Sequence, residues 1–579
     1  MVRFDPSNKN ELSPIINRPM TWTDLLYIAC ESVLKNKHIM CTRYPILDEY
    51  GTFISKIRIS STTKTIPMVI DGVFYKYYPN IDFSIPEDNI GIYFIDSMRF
   101  SHSYLPGLDG DYDGDTITCK IAFTQEADEE LENYIYKKEN FINASGDLIR
   151  KIENEALQTF YVLTKNPDKE EALSKEAIDF FINTKSTDYT FDNMISWFGK
   201  YANIDKSKSS NGISIKPKYN IYTYFDYEYK KGEVIHTTLG KFVYNKVMIQ
   251  NLGFDKVFGY INDEFTEGRF SKFEAALTNA LKDDKITTRD MIKYIDTRDW
   301  FGLSMHGVIT SSFTPAVIKT PKEVLDLKEE LFKKYAKEIA EGNTAVVAEI
   351  EKALINKEME VLKGDVGLDL YTSGARGSVG NNLKNINLIR GSVYNNLTGK
   401  FDIVKNSLMD MLDKDDFTPH VNTIVTGSYA RGVGTREGGY LTKQLIQVCS
   451  PETLGPKDSD CGSKGYIVIT LTNENAKMYM YRYMISSSGE LILLTSDNIN
   501  KYIGKEIKIR SPQYCLGIGG NQHCICNKCM GDEFYILGKE NVGLLVSKAS
   551  SKVTKMSLAK FHDSVVKVNK IDVNGILLD

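Results

Sequence analysis

The sequence predicts a multidomain α+β protein, and three observations carry the prediction. The chain has 579 residues, too many for a single core, because domains run to roughly 100–200 residues and roughly three to five packed units are therefore expected. Its first stretch alternates short apolar runs with turns, whereas later stretches place apolar residues at helical spacing. With 42% hydrophobic and 25% charged residues the composition is that of an ordinary globular protein, which argues against disordered and fibrous classes.

Taken in order, residues 1–120 read as short strands, as in Lys37–Cys41 and Ile92–Asp96, bounded by Pro and Gly. From Glu126 to Asn183 acidic, Ala- and Leu-bearing stretches predict helices, and the Asn-, Lys- and Ser-rich run Asn203–Lys218 reads as a linker at a domain boundary. Thr320-Pro321-Lys322-Glu323 has a capping-box pattern with Pro at the first helical position, and Val324, Leu327, Leu331, Tyr335 and Ile339 then share one helical face. Glu341–Thr344 breaks that helix. Val347, Ile350 and Leu354 predict a second one, making a helical hairpin. Beyond Gly439 short strands and turns return.

The net charge of −5 weighs against a free-standing nucleic-acid binder, for which phosphate contacts favour a basic balance. It suits a subunit that shares a nucleic-acid channel with partner chains and confines its cations to the channel wall. No run of about 18 apolar residues occurs, so a soluble, intracellular protein with no membrane partner is expected. Four of the nine cysteines crowd between Cys515 and Cys529, a pattern that points to metal chemistry rather than to a disulfide framework.

Asp109-Gly110-Asp111-Tyr112-Asp113-Gly114-Asp115 places four carboxylates in seven residues. Two like charges about 4 Å apart repel by roughly 4 kcal/mol at an effective dielectric near 20, so such clustering calls for a cation. The glycines let the backbone curl so that alternate side chains converge, and oxygen-only ligands favour magnesium or calcium. Asp109, Asp111, Asp113 and Gly114 fit the start of an EF-hand loop. Lys120, however, stands where that loop needs a bidentate Glu, and Ile117-Thr118-Cys119 reads as a strand instead of an exiting helix.

Asp111-Tyr112-Asp113-Gly114-Asp115 resembles the Asp-Phe-Asp-Gly-Asp core of the active-site loop in the beta-prime subunits of multi-subunit RNA polymerases, which sits in a double-psi beta-barrel. The resemblance implies that Asp111, Asp113 and Asp115 hold the catalytic magnesium, with a second ion arriving with the nucleoside triphosphate. The chain departs from the family at Asp109, where the family has Asn at a position associated with reading the ribose 2′-hydroxyl. Thr42-Arg43-Tyr44-Pro45 resembles the Asn-Arg-Ala-Pro segment ahead of the loop, which implies that Arg43 touches the nucleotide sugar.

Downstream segments resemble the same family in the same order. His236-Thr237-Thr238-Leu239-Gly240-Lys241 is similar to its Thr-Thr-Val-Gly-Arg stretch. Thr372–Ser378 matches Asp-Ser-Gly-Ala-Arg-Gly-Ser, the opening of the bridge helix, at all but the first residue, and Leu388-Ile389-Arg390-Gly391 stands where the family has Gly-Met-Arg-Gly. This implies a long helix from near Gly374, with Arg376 on the substrate side. Gly439–Gln444 resembles the Gly-Tyr-Leu-Thr-Arg-Arg that closes the trigger loop, and Phe417-Thr418-Pro419-His420 is similar to the Phe-Ile-Ser-Thr-His that opens it. His420 is thereby implied to approach the triphosphate, where an imidazole stabilises charge on the leaving pyrophosphate or donates a proton. Pro419 would disturb a helix at that point.

Among the crowded thiols Cys526 and Cys529 form a Cys-x-x-Cys pair, a spacing that wraps a tetrahedral zinc ion. Arg510-Ser511 ahead of Cys515, and Cys526–Gly531 after it, resemble the family's zinc segment, and Asp460-Cys461-Gly462 resembles its distant first ligand. One structural zinc on Cys461, Cys515, Cys526 and Cys529 is implied, with Cys524 left out. Val542–Leu545 and Thr554–His562 are similar to later family segments, so the landmarks run from Thr42 to His562.

The expected organisation is a barrel portion over 1–125, a mixed helical and loop region lining the channel over 126–310 and a helical hairpin over 311–364. Bridge helix and trigger loop follow over 365–448, and a zinc-binding region over 449–579. Because the first landmark falls about forty residues from Met1 and the full subunit's clamp lies ahead of it, an N-terminal beta-prime fragment is expected as a partner. Beta-type subunits, a promoter-specificity subunit, a DNA template, an RNA product and nucleoside triphosphates complete the set. The split and the Lys-, Asn- and Tyr-rich usage resemble the enzymes of giant bacteriophages, working in infected bacterial cytoplasm or packaged in the virion. Two alternatives remain open: a two-barrel RNA-dependent RNA polymerase, which also carries an Asp-x-Asp-Gly-Asp loop, and a non-catalytic calcium-binding assembly protein, which leaves Ser373–Ser378 unexplained.

Overall fold

The computed structural model describes residues 3–4, 29–57, 65–79, 98–199 and 218–543, except 31, 35, 45–48, 71–72, 109, 112–113, 144–145, 311–313, 396–397, 412, 430–434 and 540. Asp109, Asp113, Ile92–Asp96, Thr554–His562 and all of the Asn203–Lys218 linker but Lys218 lie outside them. The chain divides into two units, one of residues 1–140 with 149–151, the other of residues 141–148 with 152–579.

The first unit is built of short strands, as its alternating sequence predicts. β1 (Arg3–Phe4), β4 (Thr65–Ile70) and β5 (Val73–Pro79) form one antiparallel sheet in the order β1-β4-β5. β2 (His38–Thr42), β3 (Thr52–Lys56) and β6 (Thr118–Ile121) form another in the order β3-β2-β6, so the strand predicted at Ile117-Thr118-Cys119 exists and pairs with the one expected from Lys37. Among the described residues no pairing joins the two sheets. Cys41, Phe53 and Leu108 are the buried centre, with Ile39, Met98, Phe100, Tyr104 and Ile117 around them. Tyr104 stacks on Phe53 with ring centroids 4.3 Å apart, and Arg150 covers its other neighbourhood at 4.1 Å while donating to Ser103. The helix Gln125–Ile135, capped by Thr124, packs on β2 and β3.

The second unit holds the largest core, where the helices Asn154–Thr164, Glu267–Lys282 and Thr288–Ile309 bury Phe160, Phe270, Leu277, Tyr294 and Phe301. Thr288–Ile309 starts with a capping box between Thr287 and Asp290, and it crosses Asn154–Thr164 at Gly302, where a Cβ would stand 2.5 Å from that of Ala156. The hairpin of β7 (Tyr224–Lys230) and β8 (Glu233–Thr238) leads into the helix Leu239–Tyr244. Gly240 lies against the Leu163 carbonyl, with no room for a side chain.

The predicted helical hairpin is present as Lys322–Lys334, Ala336–Ala340 and Thr344–Val361, burying Val324, Ile339, Ile350 and Leu354 together. Its capping box is not. Pro321 takes the N-cap position, and the Thr320 hydroxyl instead donates to the Asn387 carbonyl at 2.9 Å. That bond ties the hairpin to the following segment.

Where one long helix was expected from near Gly374, the chain turns. Gly374 and Gly377 adopt φ +78° and +70°, conformations that end an α-helix and that favour glycine. A π-helical stretch, Val379–Leu388, follows, and the chain then enters the hairpin of β9 (Gly391–Asn395) and β10 (Lys400–Val404). Pro419, expected to disturb a helix, sits inside Lys414–Tyr429. It lies past the first turn, so its missing N–H forgoes the bond to the Asp415 carbonyl, and its ring is buried. The segment beginning Gly439 is helical throughout Thr435–Cys449, so strands return only at Thr453. The C-terminal region contains the parallel pair β11 (Thr453–Leu454) and β16 (Cys524–Ile525). It also has a sheet of β12 (Ile467–Thr470), β13 (Tyr483–Ile485), β14 (Leu491–Leu493) and β15 (Glu506–Ile509) in the order β12-β15-β13-β14. Among the described residues no helix is long and apolar enough to cross a membrane.

Candidate metal centres

The aspartate loop connects the short helix Leu105–Leu108 to β6, and Arg43 leaves the end of the adjacent β2. That strand pairing brings them together: the Arg43 guanidinium donates from Nε to Asp115 Oδ2 at 2.6 Å and from a terminal nitrogen to Oδ1 at 3.0 Å. The Asp111 backbone N–H donates to the same Asp115 Oδ2 at 3.1 Å, so the loop folds back on itself. Gly114, at φ +120°, makes that reversal in a backbone region that side chains avoid. Gly110 packs beside Arg43 Cδ and Asp115. The hydrogen bond from Arg43 holds the Asp115 carboxyl below the usual carboxylate range.

The guanidinium neutralises Asp115, and the carboxylates of Asp111 and Asp115 are exposed oxygen donors. Asp111 and Asp115 are the loop carboxylates among the described residues, where the cysteines are the only gathered set of three or more potential metal ligands. Arg43 and Asp115 meet, a juxtaposition that neither motif discloses alone.

In the second unit Arg376 is exposed and donates twice to Glu155 Oε1, at 3.2 and 2.7 Å. His420 is half-buried on the helix Lys414–Tyr429. Burial and the nearby Arg390 charge hold its imidazole below the usual value, against the opposing pull of Asp416. Thr237, Thr238 and Lys241 of the His236–Lys241 segment are buried, with the Lys241 ammonium donating to Asn166 Oδ1 at 2.6 Å and the Asn262 carbonyl at 2.8 Å.

Cys461, Cys515, Cys526 and Cys529 converge, with ligand atoms all within 4.8 Å of one another. The Cys461 sulfur lies 3.7 Å from those of both Cys515 and Cys529. A tetrahedron of zinc–sulfur bonds of about 2.3 Å has edges of about 3.8 Å, so the cluster fits zinc. Cys461 comes from the loop before β12, Cys515 from the turn after β15, and Cys526 and Cys529 from the short helical turn Asn527–Met530 and its cap. Sequence reasoning quoted Arg510 within a motif but missed what it does. Its buried guanidinium donates to Cys529 at 3.2 Å, Cys461 at 3.5 Å and Asp460 at 2.8 Å, offsetting thiolate charge. Backbone N–H groups of Leu516 and Cys526 donate to Cys461 and Cys515, each at 3.4 Å. The hydrogen bond from Cys529 holds the Cys526 thiol down to about 5, and Cys529 is pushed up in return.

The chain thus carries a strand-borne aspartate loop closed by an arginine and, separately, a four-cysteine cluster compatible with zinc. The comparisons give this pair of features a context. The chain has homologues named DNA-directed RNA polymerase subunit beta'. That of Rubrobacter xylanophilus is 19% identical and aligns with 94% of this chain and 40% of its own length. The one from Caldanaerobacter subterraneus subsp. tengcongensis is 22% identical over 94% of this chain and 44% of its own. For Acholeplasma laidlawii the identity is 23%, over 83% and 39%. The chain thus spans about two fifths of the length of these curated relatives. No protein-family model matches it.

Proposed function

We propose that this chain is the beta-prime-type catalytic subunit of a multi-subunit DNA-directed RNA polymerase, with Asp111, Asp113 and Asp115 holding the catalytic magnesium. The observation that carries this reading is the similarity to beta-prime subunits over 94% of the chain. The contact of Arg43 with Asp115 supports it, since two segments quoted for the resemblance meet in space. Relatives named as DNA-directed enzymes favour it over an RNA-dependent polymerase or a calcium-binding assembly protein.

The reaction is attack of an RNA 3′-hydroxyl on the α-phosphate of a nucleoside triphosphate with loss of pyrophosphate. Magnesium there supplies charge neutralisation on the attacking and leaving oxygens. Asp111 and Asp115 bind the cation as carboxylates, Asp115 being kept ionised by Arg43. Arg43 orients the nucleotide sugar when it leaves Asp115, and Asp109 takes the place of the family's Asn in reading the ribose 2′-hydroxyl. By the resemblance of its segment to the opening of the bridge helix, Arg376 is assigned to substrate binding. His420, its imidazole held below the usual value, stabilises charge on the leaving pyrophosphate or donates a proton to it. One zinc on Cys461, Cys515, Cys526 and Cys529 staples the C-terminal region.

Beta-type and promoter-specificity subunits complete the enzyme, so the isolated chain is inactive. The wider reading, a split subunit of a giant-bacteriophage enzyme at work in an infected cell, rests on the character of the sequence. The test is RNA synthesis by the complex purified from its native source, carrying Asp111→Ala or Asp113→Ala. Loss of template-dependent synthesis is expected, and unchanged synthesis by an intact complex defeats the assignment.

A further inference from the structure

We propose that Cys41 and Cys119 are a redox modification site, forming a reversible disulfide that clamps β2 to β6 at the base of the aspartate loop. The two residues face each other directly in the antiparallel register of these strands, so both side chains leave the same face of the sheet. Residues paired in this way have Cα atoms about 4.5–5.5 Å apart, inside the window of about 4.4–6.8 Å that a disulfide spans. The Cys119 thiol acts on that of Cys41 through space, while its own S–H is directed at the Ile117 carbonyl 3.9 Å away. Both are free thiols here.

Their surroundings differ in the way a sensing pair requires. Cys119 is exposed on the edge strand, whereas Cys41 is fully buried, with its S–H directed at the Met98 sulfur 3.7 Å away. Burial pushes the Cys41 thiol up to about 12, which keeps it unreactive toward an oxidant arriving from solvent. Cys119 therefore reacts first. With a hydroperoxide such as hydrogen peroxide, the O–O bond breaks, one oxygen stays on the Cys119 sulfur as a sulfenic acid, and water leaves. The Cys41 sulfur then attacks the Cys119 sulfur, the S–O bond breaks, and the departing hydroxide takes the Cys41 proton as a second water. Two thiols lose two electrons, and the peroxide is reduced to water.

Reversibility follows from the sheet. Facing Cβ atoms lie about 4.5–5.5 Å apart across strands, against about 3.5–4.5 Å in a disulfide, so closing the bond draws the strands together and strains it. Strained disulfides are the reducible ones. Cys41 stands two residues before Arg43 and Cys119 four after Asp115, so the bond would fix the strand register on which that ion pair depends.

The test uses the purified full-length chain, treated with dilute hydrogen peroxide, then denatured, alkylated and digested for mass spectrometry. A peptide pair joined through Cys41 and Cys119, with both thiols recovered after dithiothreitol, is the expected result. Cys119→Ser, a change at an exposed position, should leave Cys41 fully alkylated after the same treatment. The proposal is overturned if oxidised wild type keeps Cys41 alkylatable while Cys119 carries a sulfinic acid. Equal loss of the Cys41 thiol in Cys119→Ser overturns it as well.

Discussion

Arg43 and Asp115, far apart in the chain, form a two-pronged ion pair of 2.6 and 3.0 Å between the end of one strand and the loop that feeds its neighbour. The pair keeps an acidic loop from flying apart by its own repulsion, and on the proposed reading it is the contact that a bound magnesium and nucleotide rearrange. Asp115→Ala in the assembled polymerase should lower RNA synthesis by at least about a hundredfold, the scale of losing one preorganised charged group. Arg43→Ala should act mainly on the KM for nucleotide. Steady-state kinetics on both variants separates the roles, and equal effects on kcat alone would refute the division.

Removing zinc should loosen the C-terminal region. Structural zinc sites contribute about 10–16 kcal/mol of apparent binding free energy, so chelation is expected to cost the fold of this region. Metal analysis should find one zinc per chain, lost in Cys526→Ser and retained in Cys524→Ser, because Cys524 lies outside the cluster.

Arg510 touches two of the four sulfurs and Asp460. Arg510→Gln keeps a donor but removes the charge that offsets the thiolates. Zinc transfer to a coloured chelator should then run roughly tenfold faster or more, equivalent to about 1.4 kcal/mol. An unchanged release rate would show that the backbone N–H groups suffice.

Glu358 is fully buried on the helix Thr344–Val361 and accepts from the Asn387 amide at 2.9 Å, which in turn donates to the Val317 carbonyl at 2.8 Å. Burial pushes its carboxyl up to about 7. The sign follows from linkage: a carboxyl raised in the folded state contributes stability that is fully present below about pH 4.3, its unfolded value, and is lost as pH rises through 7. A shift of this size corresponds to about 3 kcal/mol. Glu358→Gln should therefore match wild type in denaturation at pH 4 and exceed it in stability at pH 8. A variant no more stable at pH 8 would remove the buried-acid account.

Several elements were legible in the sequence because local physics decides them. The face of Val324, Leu327, Leu331, Tyr335 and Ile339 packs as its spacing requires, and the strands at His38–Thr42 and Thr118–Ile121 form where β-branched and apolar residues alternate. The Cys461, Cys515, Cys526 and Cys529 set, expected from short motifs, is the one that converges. The capping box at Thr320 misled because it was weighed by its local pattern alone, and the unbroken helix from Gly374 because it was carried over from the resemblance to the bridge helix. Thr320 found a partner in the Asn387 carbonyl, and Gly374 with Gly377 turned the chain.

Residue order by itself determined the strand and helix periods, the carboxylate-dense loop and the thiol spacing, since these depend on neighbours within a few positions. Only the tertiary structure decided that Arg43 meets Asp115, that Arg510 caps the sulfurs, and that Cys41 faces Cys119. Each of those is a contact between segments distant in sequence, set by strand register and core packing, and no local pattern encodes where such segments will meet.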